Sequence, residues 1–423
     1  MAAPHPSLPL KGGGEEAGVR DSLIGTSSRT ELGAGRLGWL DEIRILAGIL
    51  IVFFHASLAY CGGSWWYVAD ASRAEALQPV FSILRPLALG LFFLAAGYLL
   101  PGALARHGPR GYLKERLIRL GTPLPIGLLL VFPILMHAYY VNFRELGPID
   151  LGTYLWRIYF GIGGHRPEGW TGPSWPDHQL GHLWFLESLL VYGAVYVAAA
   201  ALWQRLRRSP SKRETADGRS PLSDLLNVVI VIVGIGHLDF LVRMQEPLYH
   251  WRAILGVWQV HAADMPREAL CFLIGTVAAR RGWVEALPSR LAMPTLAAGL
   301  AAFLAVLLLE LAGVPVFIAG GASLHAWLYA IGETAILALL AVGLVILLRD
   351  RRLLSSDLRQ RLAANNYGVY LLHLPILVAL QYALRDSELG ALVKWLLVGA
   401  IGLLLSLAAS EFLRRLPGFR RVL

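Results

Sequence analysis

The sequence predicts an all-α, polytopic membrane protein, and three observations carry that expectation: a series of long apolar stretches, a low charge content, and basic residues gathered in every second connection. A bilayer core of ~30 Å needs about 20 mostly apolar residues in a helix. About ten transmembrane helices are expected, near 42–60, 79–100, 120–141, 181–203, 224–242, 266–281, 291–312, 325–348, 363–383 and 391–412. The sixth is short enough to read also as a re-entrant or tightly packed helix. Of the 423 residues, 56% are hydrophobic and 16% charged, against roughly 25% charged in soluble domains. Mean hydropathy is +0.55.

The connections test the count, because Lys and Arg accumulate on the cytoplasmic side of alternate loops. "RHGPRGYLKERLIR" follows the second stretch, "QRLRRSPSKRETADGR" the fourth, "RRGWVEALPSR" the sixth and "RDRRLLSSDLRQR" the eighth, and the chain ends "RRLPGFRRVL". The other connections are poor in base: "GVPVFIAGGAS" has no charge, and "RDSELG" carries two acids against one Arg. This pattern places both termini in the cytoplasm. It also accounts for the net charge of +9 as a topology signal, with no nucleic-acid partner required.

Residues 1–36 lack the apolar core of a signal peptide and read as a disordered cytoplasmic tail; 37–415 form the membrane domain and 416–423 a basic cytoplasmic tail. The only cysteines, Cys61 and Cys271, supply neither a disulfide framework nor a thiolate cluster and read as unpaired small hydrophobes. No bound metal and no permanently held cofactor is expected.

Ionisable side chains at membrane depth are costly and suggest a site. The first stretch enters from the cytoplasm near Asp41 to Arg44, and His55 lies eleven residues on, ~16 Å deeper and near the midplane. At ~100° per residue this is three turns plus about 20°, so Arg44 and His55 share one face. His373 lies at a similar depth in the ninth stretch, where Asn366, Tyr370 and His373 are spaced i, i+4, i+7 as a polar stripe. A lone histidine there is ordinarily a packing residue; two at one depth point toward function. The fourth stretch places His182 near the outer surface and Glu187 about one and a half turns deeper, ~140° away around the helix. Glu333 is a further acid inside the membrane, read either as functional or as a hydrogen bond to a neighbouring helix. Asp239 and His237 read as interfacial.

Lys114, Arg116 and Arg119 in "KERLIRLGTPLP" serve as positive-inside anchors, or as a cluster suited to a phosphorylated cytosolic donor. The outer connection 142–181 holds "GIGGHRPEGWTGPSWPDHQLGH", either an aromatic belt or a wall for a polar acceptor such as a sugar. On the second reading Trp175, His182 and Trp184, with Glu333, are the candidate acceptor-binding residues.

In order along the chain, "WLDEIRILAGILIVFFH", "LFFLAAGYLL", "KERLIRLGTPLP", "GHLWFLESLLVY", "CFLIGTVAARRGW" and "NNYGVYLLHLPIL" resemble segments of the bacterial integral-membrane acyltransferase-3 family, over roughly residues 37–415. The first looks like that family's Arg, ten residues, His signature. In the second, Ala96 stands where the family usually has Ser, which puts a hydroxyl role there in doubt. The resemblance implies ten core helices, a cytosolic acyl-coenzyme A donor and a requirement for Arg44 and His55. Segments such as "HLWFLESLLVY" look like the branch that includes glucan succinyltransferases. Some relatives append a soluble hydrolase-like domain; this chain ends soon after its last stretch, so acceptor chemistry is expected at the membrane domain or with a separate periplasmic partner protein.

The expected activity is therefore O-acyl transfer, acetyl or succinyl, from acyl-coenzyme A to a hydroxyl of an extracytoplasmic glycan or lipid-linked sugar, by a multi-pass protein of the bacterial inner membrane. Arg44, Lys114, Arg116 and Arg119 would hold the donor's phosphates, with the pantetheine arm along the Arg44–His55 face and His55 as general base. Tyr370 and His373 would polarise the carbonyl, orient His55 or only pack, and Glu187 is a further candidate acid or base. The competing reading is a proton-coupled transporter or exporter built on the buried His and Glu residues.

Overall fold

The computed structural model describes residues 37–61, 66–74, 76–206, 221–248 and 250–419. The expected N-terminal tail and the last four residues lie outside the described residues. Helices occupy all ten apolar stretches: α1 Gly38–Ser57, α2 Leu77–Arg116, α3 Phe132–Phe143, α4 Trp184–Leu206, α5 Pro221–Arg243, α6 Met265–Arg281, α7 Ala292–Leu311, α8 Leu324–Asp350, α9 Ser356–Leu384 and α10 Ala391–Leu413.

Among the described residues, seven helical runs are long and apolar enough to cross a membrane: Leu77–Phe143, Gly181–Trp203, Leu226–Arg243, Ser289–Leu311, Leu324–Asp350, Ser356–Leu384 and Ala391–Leu413. The first is 67 residues long and takes in both the second and third expected stretches. Its chain passes from α2 to α3 through π-helical turns around Pro123. α1 and α6 fall outside the seven. α1 opens with Asp41, Glu42 and Arg44 in its first two turns, and α6 has 17 residues with Arg267, Glu268, Arg280 and Arg281 among them.

α1 is wrapped by α2, α9 and α10, and α6 lies along α2. The last pair approaches backbone to backbone. A Cβ on Gly97 would stand 1.9 Å from the Phe272 carbonyl oxygen, and one on Gly275 2.1 Å from that of Leu94. Only glycine fits at either place, the small-residue device by which membrane helices gain close packing. Thr276 fastens the crossing by donating to the Gly97 carbonyl at 3.2 Å.

Among the described residues, one element departs from the all-helical expectation. Trp251–Ile254 pairs antiparallel with Trp258–His261, in register Trp251 to His261. The turn between them puts Leu255 and Gly256 at φ 53° and 75°, a left-handed pair that suits a tight hairpin connection. Cys61 and Cys271 are unpaired.

Candidate functional site

The site begins at the end of α1. His55 lies two residues before the helix stops at Ser57, so it occupies the last turn, where the sequence reading has a helix running on to residue 60. Across from it stands the polar stripe of α9, and each member has a separate task. Asn366 donates to the Arg44 carbonyl at 3.0 Å. The Tyr370 hydroxyl donates to the His182 carbonyl. His373 meets His55, with Nε2 2.9 Å from His55 Nδ1. The i, i+4, i+7 spacing thus fixes α9 against α1 and the start of α4 along one line.

This chain of bonds sets the tautomers. A carbonyl only accepts, so His373 Nδ1, 2.7 Å from the Tyr370 carbonyl oxygen, carries a proton. In a neutral ring its Nε2 is then an acceptor, and His55 Nδ1–H donates to it. His55 Nε2 is left with its lone pair. His373 has no exposure while His55 is partly exposed, so the basic nitrogen belongs to the ring of the pair that can meet another molecule.

The loop after α1 closes over this pair. Trp66 stacks on His55 at 5.8 Å and 15° between planes, and its Nε1 donates to Gln381 Oε1 at 2.7 Å. Gln381 in turn donates to the Ala56 carbonyl at 3.0 Å. Further along, Asp70 is held by Lys394 at 3.0 Å, both buried. The third histidine arrives with the fourth stretch. His182 lies edge-on to His373 at 4.9 Å and to His55 at 6.4 Å between ring centres. Gly181 makes this entry possible: its φ is +46°, and a Cβ there would stand 2.2 Å from the Phe132 ring.

Toward the other end of α1, two of the basic candidates, Arg44 and Arg119, meet α9. Arg44 lies 3.6 Å from Asp41. Arg119 lies over the Tyr367 ring at 5.4 Å, and the Tyr367 hydroxyl donates to its carbonyl at 2.7 Å. Neighbouring residues of α9, Asn366 and Tyr367, therefore touch Arg44 and Arg119 respectively. Arg116 lies over Tyr112 at 5.3 Å, and Lys114 is exposed on the last turn of α2.

Other candidates lie outside the histidine cluster. Glu187 accepts from the Gln259 amide at 3.2 Å and faces the hairpin. Trp184 is buried against Trp251 and His261, at 6.0 and 6.2 Å. Trp175 packs edge-on to Trp170 at 5.1 Å, in an outer connection organised around the buried Arg144–Asp177 pair at 2.6 Å. Tyr154 donates to the same carboxylate at 2.8 Å.

Glu333 belongs to a second centre that sequence reading missed. It accepts from Arg243 at 2.7 Å and Arg267 at 2.9 Å. Arg267 also reaches Asp264 at 2.5 Å and Asp239 at 3.3 Å, and Arg85 pairs with Asp264 at 2.6 Å. All six are buried, and so is Glu268, whose carboxyl makes no hydrogen bond among the described residues. Burial works against the Asp264 carboxylate, but Arg85, Arg267 and Arg243 overcome it and hold its pKa well below the ordinary value. His261, on the hairpin, is pushed well below 6.5 by burial and then by Arg85. The signal was present in the sequence, since Arg85, Arg267 and Glu268 are ionisable residues within apolar helices, as Glu333 is.

A family model described as an acyltransferase domain, of the acyltransferase-3 type, matches residues 37–411. The chain is 25% identical over 205 residues to proteins named glucans biosynthesis protein C from Salmonella typhi and Salmonella typhimurium. That stretch is 48% of this chain and 48% of each relative, so the chain spans about half the length of the curated relatives it matches.

Proposed function

The chain belongs to the acyltransferase-3 family, and on that premise we propose that it transfers an acetyl or succinyl group from cytosolic acyl-coenzyme A to a hydroxyl of an extracytoplasmic glycan or lipid-linked sugar. The observation that carries this reading is the chain Tyr370 carbonyl, His373, His55, which leaves a basic nitrogen at one end of the helix whose other end bears Arg44. A glycan acceptor draws on the relatives' name, glucans biosynthesis protein C.

In this reading Arg44, Arg116, Arg119 and Lys114 bind the donor's phosphates by charge-assisted hydrogen bonds. The pantetheine arm follows the Arg44–His55 face. Nε2 of His55 takes the hydroxyl proton as the oxygen attacks the thioester carbonyl, and returns it to the departing thiolate. Ten spans with both termini cytoplasmic, in the bacterial inner membrane, give the donor and the acceptor opposite faces of the protein. The basic segments after every second helix support that topology.

The test uses proteoliposomes with labelled acetyl- or succinyl-coenzyme A inside and glucose oligosaccharides outside. Label appearing on the oligosaccharide supports the reading and names the donor. Transport of an unmodified solute with no donor consumed contradicts it. The buried network of Arg85, Arg243, Arg267, Asp239, Asp264, Glu268 and Glu333 favours proton-coupled export as the second reading, since such clusters relay protons in membrane carriers.

A further inference from the structure

The hairpin of Trp251–Ile254 with Trp258–His261 belongs to the connection between α5 and α6, yet its contacts run down the side of α4. At its open end, Trp251 and His261 meet Trp184, the first residue of that helix, at 6.0 and 6.2 Å. Two residues nearer the turn, the Gln259 amide donates to Glu187 at 3.2 Å. Beside the turn, Trp258 donates its indole N–H to the Ser188 hydroxyl at 3.1 Å and stands edge-on to Tyr192 at 6.0 Å between ring centres. From Trp184 to Glu187, Ser188 and Tyr192 the helix advances by roughly 5, 6 and 12 Å. Gly181–Trp203 is long and apolar enough to cross a membrane, so the turn points into the span while the open end stays at its head.

Exposure follows the same direction. Near the open end the exposed groups are charged or polar: Arg252 pairs with Glu246 at 2.7 Å, and His250 meets the same carboxylate at 2.8 Å. At the turn they are apolar, with Leu255 94% and Val257 68% exposed on either side of Gly256. Ser188, Tyr192, Val195 and Leu202 fall on one face of α4 by their spacing. The hairpin occupies the first two, and the last two are exposed. An apolar face exposed along a membrane span meets lipid, and the turn lies on the same line. Non-helical backbone is tolerated at that depth where its polar groups are covered. Here the Gly256 and Val257 amides donate to the Ala253 and Ile254 carbonyls at 3.2 and 3.3 Å, and Glu187 takes the Gln259 amide. The Gln259 side chain accepts from the Leu180 amide at 3.0 Å and donates to the His178 carbonyl, which ties the hairpin to the segment entering α4.

We propose that this hairpin is re-entrant and that its tip, Leu255, Gly256 and Val257, is a lipid-contact site seated among the acyl chains of the leaflet around the head of α4, the extracytoplasmic one in the topology proposed above. The occupant is a bilayer acyl chain because the apolar tip continues the lipid-facing line of Val195 and Leu202, while the charged groups of Arg252 and Glu246 stay at the open end, where headgroups and water lie. Charge at the tip would be costly at that depth. Glu187 then serves as the acceptor that holds the hairpin against α4. The proposal goes beyond acyl transfer and stands without it.

The experiment places spin labels on Val257→Cys, His250→Cys and Val195→Cys of the full chain in lipid nanodiscs, with Leu255→Cys as a second tip position and labelled wild type as the background from Cys61 and Cys271. Each label's collisions with oxygen, which concentrates in lipid, are compared with its collisions with a water-soluble nickel chelate. The Val257 and Leu255 labels are expected to shift toward oxygen, as the Val195 label does, and the His250 label toward the chelate. Tip labels that meet the chelate as the His250 label does overturn the proposal. So does dipolar coupling between tip labels with both reagents shut out, which puts a second copy of the chain on the tip. Chelate access at Val195 as well removes α4 from lipid, a failure of the membrane topology that this control separates from a failure of the hairpin alone.

Discussion

His55 and His373 meet ring to ring at 2.9 Å although 318 residues separate them in the chain. Neither ring determines its own protonation pattern. The order of donors and acceptors is imposed from the Tyr370 carbonyl outward, as the partner on one imidazole nitrogen generally fixes what the other can do.

Removing His373 therefore has a defined consequence. His373→Phe keeps a ring in place and takes away the acceptor of the His55 Nδ1 proton. It is expected to lower kcat by about 10²-fold, within the 10²–10⁴-fold that a positioned base contributes, while the donor KM stays put. His373→Gln, which offers an amide oxygen, recovers part of the loss. Steady-state kinetics of the two variants decide it; an unaltered kcat in His373→Phe means that His55 is oriented by something else.

The loop over the site hangs on the buried pair of Asp70 and Lys394. Breaking one side strands the other charge, so Lys394→Met is expected to cost roughly 3–5 kcal/mol. Adding Asp70→Asn to it restores a large part of that stability. Thermal unfolding in detergent with the double-mutant cycle measures the coupling; simple additivity of the two losses contradicts it.

His261 predicts a pH response. Its folded pKa lies well below the 6.5 of the free side chain, so the unfolded chain binds the extra proton first. Its contribution to stability is complete above pH 6.5 and falls as the pH drops from there toward the lowered folded value. His261→Gln should flatten the acid limb of a stability-against-pH curve below about pH 6.5. An unchanged slope would show that another group sets it.

At the basic end, Arg44→Ala is expected to raise the acyl-coenzyme A KM by about tenfold or more, the scale of a lost charge-assisted hydrogen bond of roughly 1.5–3 kcal/mol. Arg44→Lys should fall between, since the charge stays and the planar fork goes. Equal KM values in all three proteins contradict a donor role for Arg44.

Much of this site was legible because helix geometry is local. The eleven-residue step from Arg44 to His55 and the stripe of Asn366, Tyr370 and His373 follow from rotation per residue alone, and α9 uses all three stripe residues. The glycine of "LFFLAAGYLL" shows a different outcome: the family resemblance singles out Ala96, where a serine is usual, while the structural demand falls on Gly97, where α6 crosses. What escaped depends on tertiary contact. Arg85, Asp239, Arg267 and Glu333 come from α2, α5, α6 and α8, and nothing in any one helix says that their charges converge. The turn around Gly181 was equally hidden, because rotation around α4 cannot say that His182 is drawn in against His373 while Glu187 faces the hairpin.

The most direct test of the central claim is single-turnover acyl transfer by His55→Gln against wild type, with donor binding measured on the same samples. The account predicts unchanged acyl-coenzyme A binding and a transfer rate lower by about 10²–10⁴-fold, the contribution of a general base. Transfer at the wild-type rate in folded, donor-bound His55→Gln would contradict it, and the basic nitrogen at the end of α1 would then need another purpose.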